Sequence, residues 1–173
     1  MNIEQLKYPI NPFVFKDFIT KSEIENAIKT IGDFPKLIRH ETEGLSSSEL
    51  QKKYRPGSWT IQQLVHHCAD SNMNSFIRFK GGSTSANYKV KPYDENKWAA
   101  TTDVSDEPIE SSLLILDGLH SRWSTLLSSF TKEQMAIKIF HPENGKANTL
   151  GQFVLLYAWH CEHHLEHIKI AKS

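Results

Sequence analysis

The sequence has no excess of charge of either sign, no long apolar run and few cysteines. Lysine and arginine together number 20, aspartate and glutamate together number 20, and the formal net charge of the 173 residues is zero. Because nucleic-acid binding relies on a basic surface, this balance argues against such a partner. No stretch approaches the roughly 18 apolar residues that a membrane-spanning helix needs. The N-terminal run MNIEQLKYPINPFVFKDF also lacks the uninterrupted apolar segment of a secretory signal.

The two cysteines and the length of the chain narrow the class of protein further. Two cysteines without an export signal are typical of a protein in a reducing cytosol rather than of a disulfide scaffold. A chain of 173 residues can bury one sizeable core but is short for two full domains. We therefore expect a cytoplasmic protein with a single domain spanning residues 1–173, which binds neither a membrane nor nucleic acid.

Apolar residues recur at spacings of three and four in four segments, and this periodicity predicts four amphipathic helices. We expect the first helix to begin at Ser22, where Glu25 completes a capping box. Pro35 should kink this helix or end its first half, because proline has no amide hydrogen and clashes with the preceding turn.

The other three helices are placed by their first residues. The second opens at Thr60, with Gln63 in the capping-box position, and ends near Gly81; the third opens at about Pro108; the fourth follows Thr149. Between the third and fourth helices, KIFHPENGKANT predicts a turn between two brief extended pieces. The long polar connection between the second and third helices should cross the bundle or line a site. The pattern predicts an all-α protein, a four-helix bundle with a long crossover between helices 2 and 3.

Histidine is the unusual residue, because four of the nine fall between His160 and His167. Residues four apart lie on one face of a helix, so WHCEHHLEH offers two pairs, His160 with His164 and His163 with His167. Two imidazoles placed in this way can bind one metal ion. The first pair lies beside the apolar stripe of the fourth helix, whereas the second falls further round the helix, toward solvent. We therefore predict that the first pair binds a metal and that the second lies at the surface or behind the ligands.

A third ligand should come from another helix, because a catalytic zinc-type site commonly has three protein ligands and one open position. His66 and His67 in the second helix flank its apolar row on opposite sides, so periodicity does not choose between them. His120 in the third helix is a further candidate, although a single histidine on such a face is more often a hydrogen-bonded core residue. Cys68 and Cys161 each follow a histidine and point about 100° away from it, so we interpret them as small core residues.

Two other interpretations of the last helix stay open. The string H-x-x-E-H from His163 to His167 matches the pattern of inverzincin peptidases, but it uses the pair that faces away from the core. Alternatively, histidines without any metal could complement the dipole at the helix C-terminus. Four histidines within eight residues favour a metal site over this second interpretation.

The sequence resembles the YfiT-like branch of the DinB superfamily in five runs: GSWTIQQLVHHCADSNMNSFIRFK, KPYDENKWA, LLILDGLHSRW, FHPENGKANTLGQ and LYAWHCEHHLEHI. The resemblance covers nearly the whole chain. It implies a DinB-type four-helix bundle, usually dimeric, with a divalent metal bound by three histidines. Carried over to this sequence, these are His67, which precedes C-A-D, together with His160 and His164. Cys68 and Asn72 depart from the residues commonly found in the family, and neither is one of the three ligands.

The resemblance also implies a metal-dependent hydrolase that acts on a small-molecule substrate, usually as a homodimer. Three neutral imidazoles leave a bound Zn²⁺ or Ni²⁺ its full charge, so the ion can lower the pKa of a water ligand to about 7 and polarise a carbonyl or phosphoryl oxygen. On the crossover, Asp94 or Glu95 is a candidate for the catalytic base. Tyr93 and Trp98 are candidates for the wall of the substrate pocket.

Two alternative functions remain. Other members of the superfamily resemble thiol S-transferases that use bacillithiol, mycothiol or glutathione, in which the metal binds and acidifies the substrate thiol and no protein base is needed. The lack of an obvious carboxylate beside the predicted ligands counts in favour of this alternative. A third hypothesis is a metal-storage or metal-sensing protein without catalysis. The long crossover argues against it, because a sensor needs no wall for a substrate.

Overall fold

Helices dominate the computed structural model, which describes residues 2–142 and 145–173. In chain order, the elements of these residues are α1 (Ile3–Lys7), α2 (Lys21–Thr42), α3 (Ser47–Leu50), α4 (Ile61–Thr84), α5 (Glu95–Trp98), α6 (Thr102–Asp106), α7 (Ile109–Ser128), α8 (Lys132–Met135), β1 (Lys138–His141), β2 (Lys146–Thr149) and α9 (Leu150–Lys172). The helices α2, α4, α7 and α9 are the four that the periodicity predicts. Both α2 and α4 pack against α7 and α9, so the four form a bundle.

The starts of α4 and α9 follow the predicted capping boxes. Thr60 Oγ1 accepts a hydrogen bond from the Gln63 amide at 3.2 Å, and Gln63 Oε1 accepts one from the Thr60 amide at 3.0 Å. Thr149 and Gln152 exchange the same pair of bonds at 3.1 and 2.8 Å. These bonds satisfy amides that the first turn of a helix leaves without a partner. They fix where the two helices that carry the clustered histidines begin.

The predicted start of α2 at Ser22 is wrong, because the capping residue is Thr20. Thr20 Oγ1 accepts a hydrogen bond from the Glu23 amide at 3.2 Å, and the Glu23 carboxylate accepts one from the Thr20 amide at 2.8 Å. The run T-K-S-E therefore forms the box that S-E-I-E also fits by pattern. Glu23 accepts a further bond from Lys16 Nζ at 2.7 Å, which favours the earlier of the two.

Pro35 does not end α2, which continues to Thr42 with Pro35 buried inside it. An amide at position 35 would donate to the carbonyl of Ile31, and proline has no such amide. His120 of α7 supplies the missing donor, because its Nδ1 atom lies 2.6 Å from that carbonyl oxygen. Asn72 Nδ2 donates to the Nε2 atom of the same ring at 2.9 Å. His120 is therefore a neutral, hydrogen-bonded core residue.

The crossover between α4 and α7 is tied to the first turn of α4 by two glutamine side chains. Gln62 Nε2 donates to the carbonyls of Val104 and Ser105 at 2.8 and 3.0 Å. Gln63 Nε2 donates to the carbonyl of Ala99 at 2.9 Å. The short helices α5 and α6 are thereby held beside the turn of α4 that precedes His66 and His67.

A small antiparallel hairpin connects α8 to α9. Strands β1 and β2 pair from Lys138 with Thr149 to His141 with Lys146. The two predicted extended pieces are therefore present, and the fold is helical with this one addition in the described part of the chain. Residues 143 and 144 of the predicted turn lie outside the described residues.

Two clusters of buried side chains fill the bundle. One of them lies around the histidines of α4 and α9 and contains both cysteines. Both cysteines are free and buried. Burial raises the pKa of the Cys68 and Cys161 thiols, so both stay protonated. Among residues 2–142 and 145–173, no helix has the length and apolar character needed to cross a bilayer.

Residues 2–18, which we call the N-terminal strap, run along α9. Trp159 Nε1 donates to the carbonyl of Asn11 at 3.0 Å, and Gln152 Nε2 donates to the carbonyl of Lys16 at 2.8 Å. Asn11 has a φ of 66°, in the left-handed region that asparagine adopts more readily than most residues, and it turns the strap. The strap therefore covers a face of α9 that does not pack inside the bundle.

Candidate metal centre

Three histidines from two helices converge at the predicted site. Helix α4 supplies His67, and α9 supplies His160 and His164, which lie one turn apart. The Nε2 atoms of His67 and His160 are 3.3 Å apart, and the ring centroids of His160 and His164 are 4.4 Å apart. One ligand nitrogen from each residue lies within 4.8 Å of the other two. The structure thus brings together the three residues that the sequence singles out.

The spacing and the chemistry of these nitrogens fit a divalent metal ion. Zn–N distances of about 2.0–2.1 Å place the nitrogens of two tetrahedral ligands about 3.3–3.4 Å apart. The His67 and His160 nitrogens are separated by 3.3 Å. Burial lowers the pKa of His67 to about 4 and lowers the pKa values of His160 and His164 well below 6.5. The three rings are therefore neutral at pH 7, the form in which imidazole binds a metal.

Trp59 covers one side of these three histidines. Its ring centroid lies 4.5 Å from that of His67 and 6.4 Å from that of His164. Because Trp59 immediately precedes the Thr60 cap, the turn that starts α4 also positions this wall. Sequence reasoning missed Trp59 as a site residue. Its place directly before a capping box on a histidine-bearing helix is the signal that could have identified it.

Arg78 of α4 and Tyr157 of α9 form a hydrogen-bonded pair next to His160. Arg78 Nη1 donates to the hydroxyl of Tyr157 at 2.6 Å, and the Tyr157 ring lies 6.5 Å from the His160 ring. Burial, then the nearby His67, then the positive charge of Arg78 lower the pKa of His160. Helical periodicity could not identify this pair, because its members come from different helices.

His163 and His167 are buried, so their predicted position toward solvent is wrong. They expose only 7% and 2% of their surface. The N-terminal strap covers them, since the Tyr8 ring lies 6.1 Å from His163 and the Nε2 atom of His167 lies 3.2 Å from the carbonyl oxygen of Lys7. Tyr54 stacks on His167 with ring centroids 3.8 Å apart. Helical periodicity predicts which face of α9 packs inside the bundle. It does not predict that the strap covers the opposite face.

His163, His164 and His167 form a second cluster, whose ligand nitrogens also lie within 4.8 Å of one another. His164 belongs to both clusters. The glutamate of the H-x-x-E-H pattern is Glu166, and its carboxylate binds Lys169 Nζ at 2.7 Å on a partly exposed surface. Glu166 would have to act as the general base in such a peptidase, and its pairing with Lys169 disfavours this interpretation.

His66 uses both of its ring nitrogens away from the three converging histidines. Its Nδ1 atom lies 2.8 Å from Ser112 Oγ, and its Nε2 atom lies 3.2 Å from the carbonyl oxygen of Glu107. Because a carbonyl only accepts, Nε2 carries the proton and Nδ1 accepts from the serine. Of the two adjacent histidines that periodicity leaves open, His67 faces α9 and His66 faces α7.

The two carboxylates predicted on the crossover lie at the start of α5. Asp94 accepts a hydrogen bond from the Lys97 amide at 3.0 Å, and its carboxylate pairs with Lys97 Nζ at 3.2 Å. Glu95 follows it and is exposed. The structure therefore joins Asp94 to the cap of α5 rather than to a histidine.

The two aromatic residues predicted as a pocket wall contact each other, with the ring centroids of Tyr93 and Trp98 4.4 Å apart. The Tyr93 hydroxyl lies beside Ser71, and burial raises the pKa of Tyr93. Ser71 is one turn beyond His67 on α4. Because residues four apart share a helix face, Tyr93 meets α4 on the face that carries His67.

The sequence also matches a known family, the DinB superfamily. The model of this superfamily matches residues 33–168, and the chain belongs to it. The N-terminal strap lies outside the matched range.

Proteins of several bacteria resemble the chain over nearly its whole length. One from Oceanobacillus iheyensis is 42% identical over 162 residues, which cover 94% of this chain and 93% of the relative. One from Bacillus cereus is 43% identical over 166 residues, which cover 96% and 95%. Both are provisionally named metal-dependent hydrolases.

A solved structure resembles the fold as well. YfiT from Bacillus subtilis, described as a probable metal-dependent hydrolase with an unusual four-helix bundle topology, matches with a TM-score of 0.92 and 36% identity. The match covers 95% of this chain and 94% of that one. The predicted family and the predicted four-helix bundle are thus confirmed.

Proposed function

We propose that the protein is a metal-dependent hydrolase that binds one Zn²⁺ or Ni²⁺ ion through His67, His160 and His164. The observation that carries the proposal is the convergence of three buried, neutral imidazoles from two helices. Imidazole nitrogens suit both metals, so availability decides between them. The names of the relatives and of the solved structure support the reaction class.

The residues of the chain hold and shield this centre. Helices α4 and α9 fix the three rings, whose neutrality leaves the charge of a bound cation uncompensated. Trp59 covers one side, and three protein ligands leave at least one coordination position for water or substrate. When bound, a divalent ion supplies a water ligand of lowered pKa and a Lewis acid for a carbonyl or phosphoryl oxygen.

We also propose roles for the crossover residues in binding and proton transfer. Tyr93 reaches α4 one turn beyond His67 and contacts Trp98, which places the two rings to wall a small-molecule substrate. Asp94 and Glu95 directly follow Tyr93 and are the candidates for a base. Asp94→Asn and Glu95→Gln test this role. A base is identified by a variant that keeps its metal content and KM but loses kcat.

A thiol S-transferase is the second candidate function. Within residues 2–142 and 145–173, the cluster of His67, His160 and His164 includes no carboxylate. Thiol transfer needs none, because the substrate thiol loses its proton on binding to the metal. Hydrolysis, in contrast, usually uses a base. A cluster without a carboxylate therefore suits thiol transfer better than hydrolysis.

Metal analysis of four single variants tests the proposed ligands. His67→Ala, His160→Ala and His164→Ala should each lose most of the bound Zn²⁺, because each removes one of three ligands. His40→Ala is the matched control, since His40 is exposed on α2 and should leave one ion per chain. Full retention of metal in all three ligand variants would overturn the proposed centre.

Two assays of the metal-loaded protein separate the candidate reactions. One offers a panel of esters, amides and phosphoesters; the other offers a low-molecular-weight thiol with monochlorobimane. Metal-dependent hydrolysis without conjugation supports the hydrolase, and conjugation without hydrolysis supports the transferase. Bound metal with turnover in neither assay would instead point to metal storage or sensing.

We further propose that the chain is one domain and works as a cytoplasmic homodimer. The support for the dimer is the family resemblance together with exposed apolar side chains on the long helices, among them Ile77, Leu114 and Ile115. Light scattering coupled to size-exclusion chromatography tests it. A mass of twice 19.9 kDa is expected, and a mass of one chain at all concentrations would contradict it.

A further inference from the structure

A chain of polar contacts leads from the backbone of the N-terminal strap to one of the proposed ligands. The carbonyl oxygen of Lys7 lies 3.2 Å from His167 Nε2. The other nitrogen of the same ring, His167 Nδ1, lies 3.4 Å from His164 Nδ1. Both histidines are buried in α9. The contacts therefore connect residue 7 to residue 164 through a single ring.

The Lys7 carbonyl determines where the protons lie in this series of contacts. A carbonyl oxygen only accepts, so His167 Nε2 must carry the proton that it donates to Lys7. A neutral His167 then has a lone pair on Nδ1, and the contact with His164 is a hydrogen bond when His164 Nδ1 carries the proton. The remaining lone pair of His164 is then on Nε2.

The ring of His167 is held in place by Tyr54 and by the strap. Tyr54 stacks on it at a centroid distance of 3.8 Å and an interplanar angle of 11°. The strap that presents the Lys7 carbonyl is itself fastened to α9 through Asn11 and Trp159. A ligand histidine usually donates its second ring nitrogen to a fixed acceptor, which sets its tautomer and its orientation.

We propose that the Lys7 carbonyl and His167 position His164 for metal binding by holding the Nδ1 proton and leaving Nε2 as the ligand atom. This inference rests on the proposed three-histidine centre. His167 is a positioning residue that stays neutral and touches no substrate. The N-terminal strap, which lies outside the residues that the superfamily model matches, thereby becomes part of the metal centre.

A second metal ion between His163, His164 and His167 is the competing use of the same contacts. It would need the lone pair of His164 on Nδ1. A neutral imidazole offers only one lone pair for a ligand bond, so an ion there would compete with the ion at His67 and His160. The contact between His167 and the Lys7 carbonyl leaves the lone pair of His167 Nδ1 available for either use. The positioning role is favoured because the proposed centre at His67 and His160 needs the lone pair of His164 on Nε2.

Three variants test the positioning role. His167→Phe keeps a ring on Tyr54 but removes the acceptor for His164, and His167→Asn offers its Oδ1 near the position of Nδ1. His163→Phe is the matched control, because it removes a buried histidine one turn away on the same helix. Zn²⁺ affinity is measured by competition with a chelator, stoichiometry by metal analysis, and the His164 tautomer by ¹⁵N NMR of the metal-free protein.

We expect His167→Phe to bind one Zn²⁺ about 10–100-fold more weakly than the wild type, as for other partners of metal ligands. The Asn variant should recover part of this loss, and His163→Phe should match the wild type. In the metal-free wild type, His164 should carry its proton on Nδ1, and in His167→Phe it should shift toward Nε2. This NMR signature separates a positioning role from a general loss of packing.

The outcomes that overturn the inference are distinct from failure of the centre itself. Wild-type affinity in His167→Phe, or an Nε2 proton on His164 in the metal-free wild type, overturns the positioning role even if His67→Ala abolishes binding. Zn²⁺ binding that both Phe variants weaken and His67→Ala leaves unchanged would replace it with a metal site at His163, His164 and His167. If His67→Ala and His160→Ala bind Zn²⁺ as the wild type does, the proposed centre is wrong. The NMR measurement on the wild type needs no variant to fold.

Discussion

The Nδ1 atom of His120 lies 2.6 Å from the carbonyl oxygen of Ile31, the carbonyl that Pro35 leaves without an amide donor. This bond joins two long helices and gives the Ile31 carbonyl a partner within α2, which runs unbroken through its proline. The other ring nitrogen of His120 accepts from Asn72, so one buried ring connects α2, α7 and α4.

We predict that His120→Leu lowers the free energy of unfolding by about 1–3 kcal/mol for each buried polar group left without its partner. The groups concerned are the Ile31 carbonyl and the Asn72 amide. Urea unfolding of the metal-free protein measures the change.

The control is the same substitution in a Pro35→Ala background. There, the amide of residue 35 can donate to the Ile31 carbonyl, so His120→Leu should cost less than it does in the wild type. Strict additivity of the two substitutions would show that the bond between His120 and Ile31 does not compensate for the proline.

Acid should destabilise the metal-free protein well above the usual pH range of carboxylate titration. Burial lowers the pKa of His67 and of His120 to about 4, whereas an unfolded histidine titrates near 6.5. Between these values the unfolded chain binds protons that the folded chain does not, so the free energy of unfolding falls as the pH falls. Each such histidine contributes up to about 1.4 kcal/mol per pH unit. Urea unfolding across this window measures the slope, which His120→Leu should reduce; a flat profile would contradict the assignment.

Loosening the N-terminal strap should expose His163 and His167 without unfolding the bundle. Trp159→Leu removes the bond to the Asn11 carbonyl and the ring that stacks on His163. We expect faster amide hydrogen exchange in residues 3–16 and unchanged exchange in α4. Trp98→Leu on the crossover is the matched control and should leave the strap protected. Equal exchange in the strap of all three proteins would show that Trp159 does not fasten it.

Two helical glycines should respond to alanine in opposite directions. A Cβ at Gly82 would lie 2.7 Å from Ile139 Cγ2, so Gly82→Ala overpacks the contact between α4 and β1 and should destabilise by about 1–3 kcal/mol. A Cβ at Gly118 meets no heavy atom within 4 Å, and Gly118→Ala should stabilise α7 by about 0.5–1 kcal/mol. Thermal unfolding compares the two. A more stable Gly82→Ala protein would show that Ile139 of β1 moves aside at little cost in free energy.

Local rules predicted the elements that short-range chemistry determines. The boxes at Thr60 and Thr149 are fixed by residues three apart, so their sequence pattern is sufficient. The same rule failed at Ser22, where two overlapping boxes fit the pattern and the bond from Lys16 to Glu23 favours the box that begins at Thr20. Periodicity alone could not predict that His67, and not His66, meets His160. That outcome depends on which neighbouring helix lies on each side of α4.

The continuation of α2 past Pro35 and the burial of the His163/His167 pair have one physical origin. In each case a partner distant in sequence satisfies a group that local reasoning treats as exposed or unsatisfied. His120 serves the carbonyl left by Pro35, and the strap covers the outer face of α9. Neither partner leaves a periodic signal.

Anomalous diffraction from crystals of the Zn²⁺-loaded protein tests the central claim most directly. We predict a single peak per chain, about 2.0–2.1 Å from one nitrogen each of His67, His160 and His164. A peak bound instead by His163 and His167, or the absence of any ordered Zn²⁺ at the three histidines, would contradict it.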